Sequence, residues 1–194
     1  MTSFVLATAN AHKAEEMRAV LSPLGIELGD RPEEVAEVEE TGTTLEENAL
    51  LKARAIARVT GRAAIADDTG LFVDALDGSP GVRSARYAGE DASYDDNVTR
   101  LLEELADVPA PRTARFTTVV AVAYPDGTTF CVEGALAGVI SEARHGDQGF
   151  GYDPVFVPDD ADGRTLAQLS AREKNELSHR GRALRALGAE LAQR

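Results

Sequence analysis

Residues 63–75 read AAIADDTGLFVDA, with Asp67 and Asp68 adjacent at the end of a short apolar run. An apolar run of this length bounded by turn residues predicts a buried strand, with Thr69-Gly70 turning the chain straight after it. Acidic residues are depleted in strands and rarely fully buried unless paired. Two at a strand end therefore need a partner, which a hard cation such as Mg²⁺ supplies through oxygen ligands. A lone Asp-Gly corner reads more simply as a turn in which the side chain bonds nearby backbone. Here the doublet follows a buried run and is not alone, so it is read as part of a site.

Upstream, Phe4 to Thr8 (FVLAT) predicts a first strand buried on both faces. Asn10 caps a helix with Lys13 in its first turn and Met17, Val20, Leu21 and Leu24 at helical spacing, ended by Ser22-Pro23 and Gly25. Thr44 and Glu47 have capping-box spacing and open a second helix through Leu45, Ala49, Leu50, Ala53, Ile56 and Ala57, stopped by Gly61. Downstream, GSPGVRSARYAGED (78–91) is too turn-dense for regular structure. Ser93 caps a helix containing Val98, Leu101, Leu102 and Leu105. Two strands, 115–124 and 128–136, flank the turn Pro125-Asp126-Gly127, with a third strand-like run near Val139. The loop HGDQGFGYDP (145–154) leads into Val155-Phe156-Val157, and from Leu166 the chain is helical, with Ser170 and Glu173 as another capping box. This order predicts an α/β fold whose mixed sheet has an antiparallel part, not a clean doubly wound sheet.

At 194 residues the chain suits a single domain, 1–194, or one domain with a lobe. Its formal net charge of −13 argues against nucleic-acid or anionic-membrane partners, which basic patches bind. A small polyanion remains compatible, provided a local basic cluster, a metal, or both offset the field. Cys131 is the only cysteine, which excludes an intramolecular disulfide and a Cys-rich zinc site, and it reads as a small buried hydrophobe. No signal-peptide pattern opens the sequence and no apolar run is long enough to span a bilayer, so the expected compartment is cytoplasmic.

Four stretches could carry chemistry. In TANAHK (Thr8, Ala9, Asn10, Ala11, His12, Lys13) a helix N-terminus offers backbone N–H groups and partial positive charge to a phosphate, and Lys13 adds a full charge. The loop lacks the glycines of the Walker or dinucleotide-binding types. Glu39-Glu40-Thr41-Gly42 is either a solvated acidic face or the source of a carboxylate that joins Asp67 or Asp68 around a cation. In GFGYDP (149–154) two glycines bracket Phe150, an aromatic able to stack on a base or to pack under a turn. Lys174 with Ser178-His179-Arg180-Gly181 offers groups for a base edge or phosphate, or plain surface decoration. Together these supply oxygen ligands, basic groups and an aromatic, the inventory of a Mg²⁺-dependent enzyme acting on a nucleoside triphosphate.

The ordered set TANAHK, EETGTTLEENALLKA, ADDTGLFVDAL, PGVRSARYAG, GFGYDPVF and LSHRGRAL resembles that of the non-canonical purine NTP pyrophosphatases. This is the inosine triphosphate pyrophosphatase, or dITP/XTP pyrophosphatase, family, and the resemblance runs from Phe4 to the last helix. Thr69 stands where many members have Ser, and it keeps the hydroxyl. The resemblance implies an elongated α/β fold with a mixed sheet flanked by helices, two lobes with an active-site cleft between them, and a homodimer. It also implies hydrolysis of dITP, ITP and XTP between the α- and β-phosphates. Carried onto this chain, it assigns Thr8 to Lys13 to the triphosphate, and Glu40 and Asp68 to Mg²⁺, with Asp68 also the base that activates water. Thr69, Phe150, Gly151, Tyr152, Asp153, Lys174, His179 and Arg180 become substrate contacts. Two rival readings are a phosphatase with a covalent aspartyl intermediate and a non-catalytic nucleotide-binding module. The first normally spaces its aspartates Asp-x-Asp, and the second needs no metal-and-base set.

Overall fold

The computed structural model describes residues 2–33, 35, 36 and 38–194. The elements in chain order begin with β1 (Thr2–Leu6), α1 (Ala11–Leu21), β2 (Ile26–Gly29), α2 (Leu45–Thr60) and β3 (Ala64–Val73). They continue with β4 (Pro80–Gly81), α3 (Tyr94–Glu104), β5 (Thr113–Ala123), β6 (Thr129–Ile140), β7 (Phe156–Pro158), α4 (Ala171–Leu177) and α5 (His179–Leu191). Strand order is β2-β1-β3-β5-β6-β7, with β4 paired to β3. β1 is parallel to both β2 and β3, whereas β3–β4 and β6–β7 are antiparallel, so the sheet is mixed. Among the described residues no helix is long and apolar enough to cross a membrane.

The helix starts follow from their caps. Asn10 Oδ1 accepts the N–H groups of His12 and Lys13 at 3.0 and 3.2 Å. Thr44 with Glu47, Ser93 with Asp96, and Ser170 with Glu173 form reciprocal capping boxes. Gly61 closes α2 in the left-handed conformation, as its place after the apolar stripe predicts.

The chain divides into two compact units. The first comprises residues up to Asp68 with Thr118–Gly134 and His179–Arg194; the second comprises Thr69–Thr117 and Ala135–Ser178. Each has its own core. Phe4, Leu6, Met17, Leu21, Ile65, Val120, Leu184 and Leu187 pack in the first. Leu71, Leu101, Leu105, Phe116, Phe156 and Leu166 pack in the second.

Four expectations are corrected. Thr69-Gly70 is not a turn: β3 continues through it to Val73. Gly70 serves close approach instead, because a Cβ there would lie 2.7 Å from the Gly81 carbonyl oxygen on β4. β6 is one strand through Ile140, where sequence patterning suggested a break before Val139. The short strands β2 and β4 were not anticipated, β4 lying in the stretch read as too turn-dense. Cys131 is half-buried, and burial pushes its thiol up to about 11.

Candidate active site

β3 carries Asp67 and Asp68 in mid-strand, both buried. Neighbouring strand side chains alternate between faces, and the two carboxylates accordingly meet different helices of the first unit. Asp67 Oδ2 receives Lys13 Nζ of α1 at 3.3 Å and Arg180 Nε of α5 at 3.1 Å. Arg180 also pairs through Nη1 with Glu16 of α1. Asp68 Oδ1 receives Lys52 Nζ of α2 at 3.1 Å, and the same ammonium lies 2.7 Å from Glu40 Oε1. Asn48, one turn before Lys52, donates from Nδ2 to Asp68 Oδ2 at 3.4 Å and accepts the Gly42 N–H at 2.8 Å. Asn48 thereby ties the loop that carries Glu40 to Asp68.

The charges of these groups are unevenly matched. Burial acts to raise the Asp67 carboxyl, but Lys13 and Arg180 overcome it and hold Asp67 well below the usual carboxylate range. Burial raises Asp68, Lys52 and Lys13 only partly offset this, and Glu40 adds to the rise. Burial acts to lower Lys52, yet Asp68, Asp67 and Glu40 together raise it. One ammonium therefore lies within ion-pair distance of two carboxylates. Lys13 shows the converse: burial lowers it despite Asp67, with Lys52 and Arg180 adding to the fall. Burial thus disfavours the charged forms of Asp68 and Lys13, whereas ionic partners favour those of Asp67 and Lys52.

The predicted phosphate loop sits at this cluster's edge. Thr8 Oγ1 accepts the Asn10 N–H at 3.1 Å, while Ala9, Ala11 and His12 are exposed. Because Asn10 already engages the N–H groups of His12 and Lys13, what this turn chiefly offers an anion is the Lys13 charge. Of the acidic pair, Glu40 is half-buried and turned to Lys52, whereas Glu39 is exposed. His179 and Arg180 are buried at the start of α5, so neither is surface decoration.

A second cluster lies in the second unit. Asp153 Oδ2 receives the Phe150 N–H at 2.8 Å and the ammonium of buried Lys174. That ammonium also stands 4.6 Å from the centroid of the Phe150 ring, which is tilted against Tyr94 at 5.8 Å. Gly149, at φ +74°, lets the chain pass the Asp153 carboxylate: a Cβ there would meet Oδ2 at 2.1 Å. Tyr152 is buried and donates its hydroxyl to the Ser84 carbonyl at 2.9 Å, and half-buried Gly151 precedes it in a left-handed turn. Thr69 follows Asp68 on β3 as the first residue of this unit and is half-buried.

The Ham1 family model matches residues 4–190. The chain belongs to the Ham1 family. Relatives named dITP/XTP pyrophosphatase include one from Streptomyces avermitilis, 48% identical over 192 residues and covering 96% of each chain. Another, from Nitratidesulfovibrio vulgaris, is 53% identical and covers 95% of this chain and 93% of its own. The solved HAM1 protein from Coxiella burnetii superposes with a TM-score of 0.89 at 40% identity, covering the whole of both chains. The resemblance drawn from the ordered motifs therefore holds across the Ham1 fold.

Sequence reasoning missed Glu16, Asn48 and Lys52. Asn48 and Lys52 did leave a signal. They fall at i+3 and i+7 from Leu45, inside the stripe that α2 turns inward, where a helix normally places apolar residues. Glu16 left none, because an acidic residue on a helix reads as solvated until Arg180 is found opposite it.

Proposed function

We propose that this Ham1-family chain is a Mg²⁺-dependent pyrophosphatase that hydrolyses dITP, ITP and XTP between the α- and β-phosphates, releasing the nucleoside monophosphate and pyrophosphate. The observation that carries the reading is the convergence of Glu40 and Asp68 on one cationic position. Among the described residues no group of three or more His, Cys, Asp or Glu side chains could hold a metal ion. Two carboxylates nevertheless fit Mg²⁺, which takes one or two from the protein and completes its octahedron with water and substrate phosphates. When bound, the ion would supply charge neutralisation on the leaving pyrophosphate and lower the pKa of water.

The protein's own groups then have separable tasks. Asp68, its affinity for a proton raised by burial, accepts the proton from the attacking water, a contribution of about 10²–10⁴-fold in rate. Lys13 offsets triphosphate charge within an otherwise acidic protein. Phe150 stacks on the base, and Lys174, His179 and Arg180 complete the nucleotide contacts. Selection of a 6-oxopurine requires a donor aimed at that oxygen, and adenine would leave it unmatched at a cost of about 1–3 kcal/mol. Guanine shares the 6-oxo group, so the 2-position must be read separately. A homodimer, which the family resemblance implies, and a cytoplasmic location, expected from the sequence pattern, complete the proposal.

A covalent aspartyl route is not favoured, because Asp67 is engaged by Lys13 and Arg180 while Asp68 meets α2. The test is hydrolysis of ITP, XTP, dITP, ATP and GTP with and without Mg²⁺, with the products identified. Pyrophosphate from the first three only, and only with metal, is expected. Orthophosphate as the primary product would overturn the assigned cleavage position.

A further inference from the structure

We propose that the Lys52 ammonium is the built-in counter-ion of the metal position: it bridges Glu40 and Asp68 when no divalent ion is bound, and such an ion must displace it. The inference rests on the metal reading above. Lys52 Nζ approaches Glu40 Oε1 at 2.7 Å and Asp68 Oδ1 at 3.1 Å, so the two carboxylates read as metal ligands already share a cation. The ammonium side chain is 12% exposed and Asp68 8% exposed, which leaves little water to screen the contact. Mg²⁺ binds carboxylate oxygen at about 2.0–2.1 Å, inside the shell in which the ammonium sits, so dication and ammonium compete for one place.

The surroundings are built for such an exchange. Asn48 holds Asp68 and the Gly42 backbone through an amide that carries no charge to lose. Asp68 and the loop that carries Glu40 therefore keep a tether on α2 that does not depend on the ammonium. A lysine suits the exchange because its charge sits on a flexible four-carbon stem and can swing away without moving the helix. Displacement leaves an ammonium in need of anions, and a triphosphate brings them. Metal and polyanion binding are thereby coupled, each improving the other by the same factor.

The experiment is Mn²⁺ binding, without nucleotide, to the full-length protein by calorimetry and electron paramagnetic resonance. Wild type, Lys52→Met, Lys52→Gln, Lys52→Arg and Glu40→Gln are compared. Removing the competing charge should tighten Mn²⁺ binding by roughly tenfold in Lys52→Met, while Lys52→Arg stays at or below wild-type affinity. The metal-induced rise in melting temperature should grow in the same variant. Lys52→Gln carries the same expectation and replaces Lys52→Met if the latter does not fold. A merely structural lysine would leave affinity unchanged or weaken it on removal, and either result overturns the proposal. If Glu40→Gln abolishes Mn²⁺ binding while wild type and Lys52→Met bind equally, only the counter-ion role fails. If Mn²⁺ does not bind wild type, or binds without regard to Glu40, the metal reading fails and the proposal with it.

Discussion

Asp67 and Asp68 are consecutive residues of one strand, yet the protein shifts their carboxyl groups in opposite directions. Lys13 and Arg180 hold Asp67 below the ordinary carboxylate range against the effect of burial, whereas burial and Glu40 lift Asp68 above it. Such a divergence separates a permanently charged anchor from a group able to take up a proton. The anchor also orders its surroundings: Arg180 lies between Asp67 and Glu16, so the first turn of α5 is tied to both α1 and β3.

Asp67→Asn is therefore expected to act on stability. It leaves Lys13 short of its partner and Arg180 with Glu16, and breaking a buried pair costs about 3–5 kcal/mol. The sign with pH follows from the lowered folded-state pKa. The stabilisation is fully present above the unfolded value of about 3.9 and is lost as pH falls from there through the folded value. Urea denaturation of both proteins from pH 7 to pH 3 should show a large gap that narrows below pH 4. A gap that is constant with pH would mean that the Asp67 charge is not the source.

Asp68→Asn should act on turnover instead. Ionisation of Asp68 is already opposed by burial and by Glu40, and Lys52 keeps Glu40 as a partner after the change. The denaturation midpoint should stay close to wild type while kcat falls by about 10²–10⁴-fold, the usual weight of a general base. Near-normal kcat on ITP would remove Asp68 from the chemistry.

The contrast also shows where the sequence was legible. The caps at Asn10, Thr44, Ser93 and Ser170 could be read because their chemistry is local, a side chain within three residues of the backbone it bonds. The apolar runs of β1 and β3 were legible for the same reason. Thr69-Gly70 was misread because Gly70 is small for the sake of β4, eleven residues on, and no local pattern distinguishes that need from a turn. Asp67 and Asp68 could be named as site residues, but their division of labour depends on Lys13, Lys52 and Arg180, whose positions only the packed helices fix.

Gly134 tests whether the placement of α5 matters to the site. A Cβ there would lie 2.3 Å from both the Ala183 nitrogen and the His179 carbonyl oxygen, which are backbone atoms with no freedom to step aside. Gly134→Ala must push the first turns of α5 away from β6, and overpacking of this kind costs about 1–3 kcal/mol. Because that turn carries His179 and Arg180, kcat/KM for ITP should fall together with the melting temperature. Gly138→Ala, whose clash is with the Val157 carbonyl and Phe156 of the second unit, should destabilise without loosening the Arg180–Asp67 pair. Equal effects of the two variants on the NMR chemical shifts of the Asp67 carboxyl carbon and the Arg180 Nε–H at neutral pH would count against a local role for Gly134.

The Asp153–Lys174 pair separates structural from nucleotide-binding roles in the second unit. Both side chains are buried, and Asp153 Oδ2 also accepts the Phe150 N–H, so one carboxylate fixes the ammonium and the aromatic's backbone together. Asp153→Asn removes the carboxylate charge that faces the buried Lys174 ammonium and should cost about 3–5 kcal/mol. Lys174→Met keeps the aliphatic volume and removes the charge. The double variant, with both substitutions, removes the two charges together, so its loss of stability should be smaller than the sum of the single losses by about 1–3 kcal/mol of coupling. Denaturant titration of the four proteins measures this directly. Phe150→Ala should leave that coupling largely in place, since its N–H remains, while raising KM for ITP more than it lowers kcat. Additive losses in the cycle would show that the two charges do not stabilise each other.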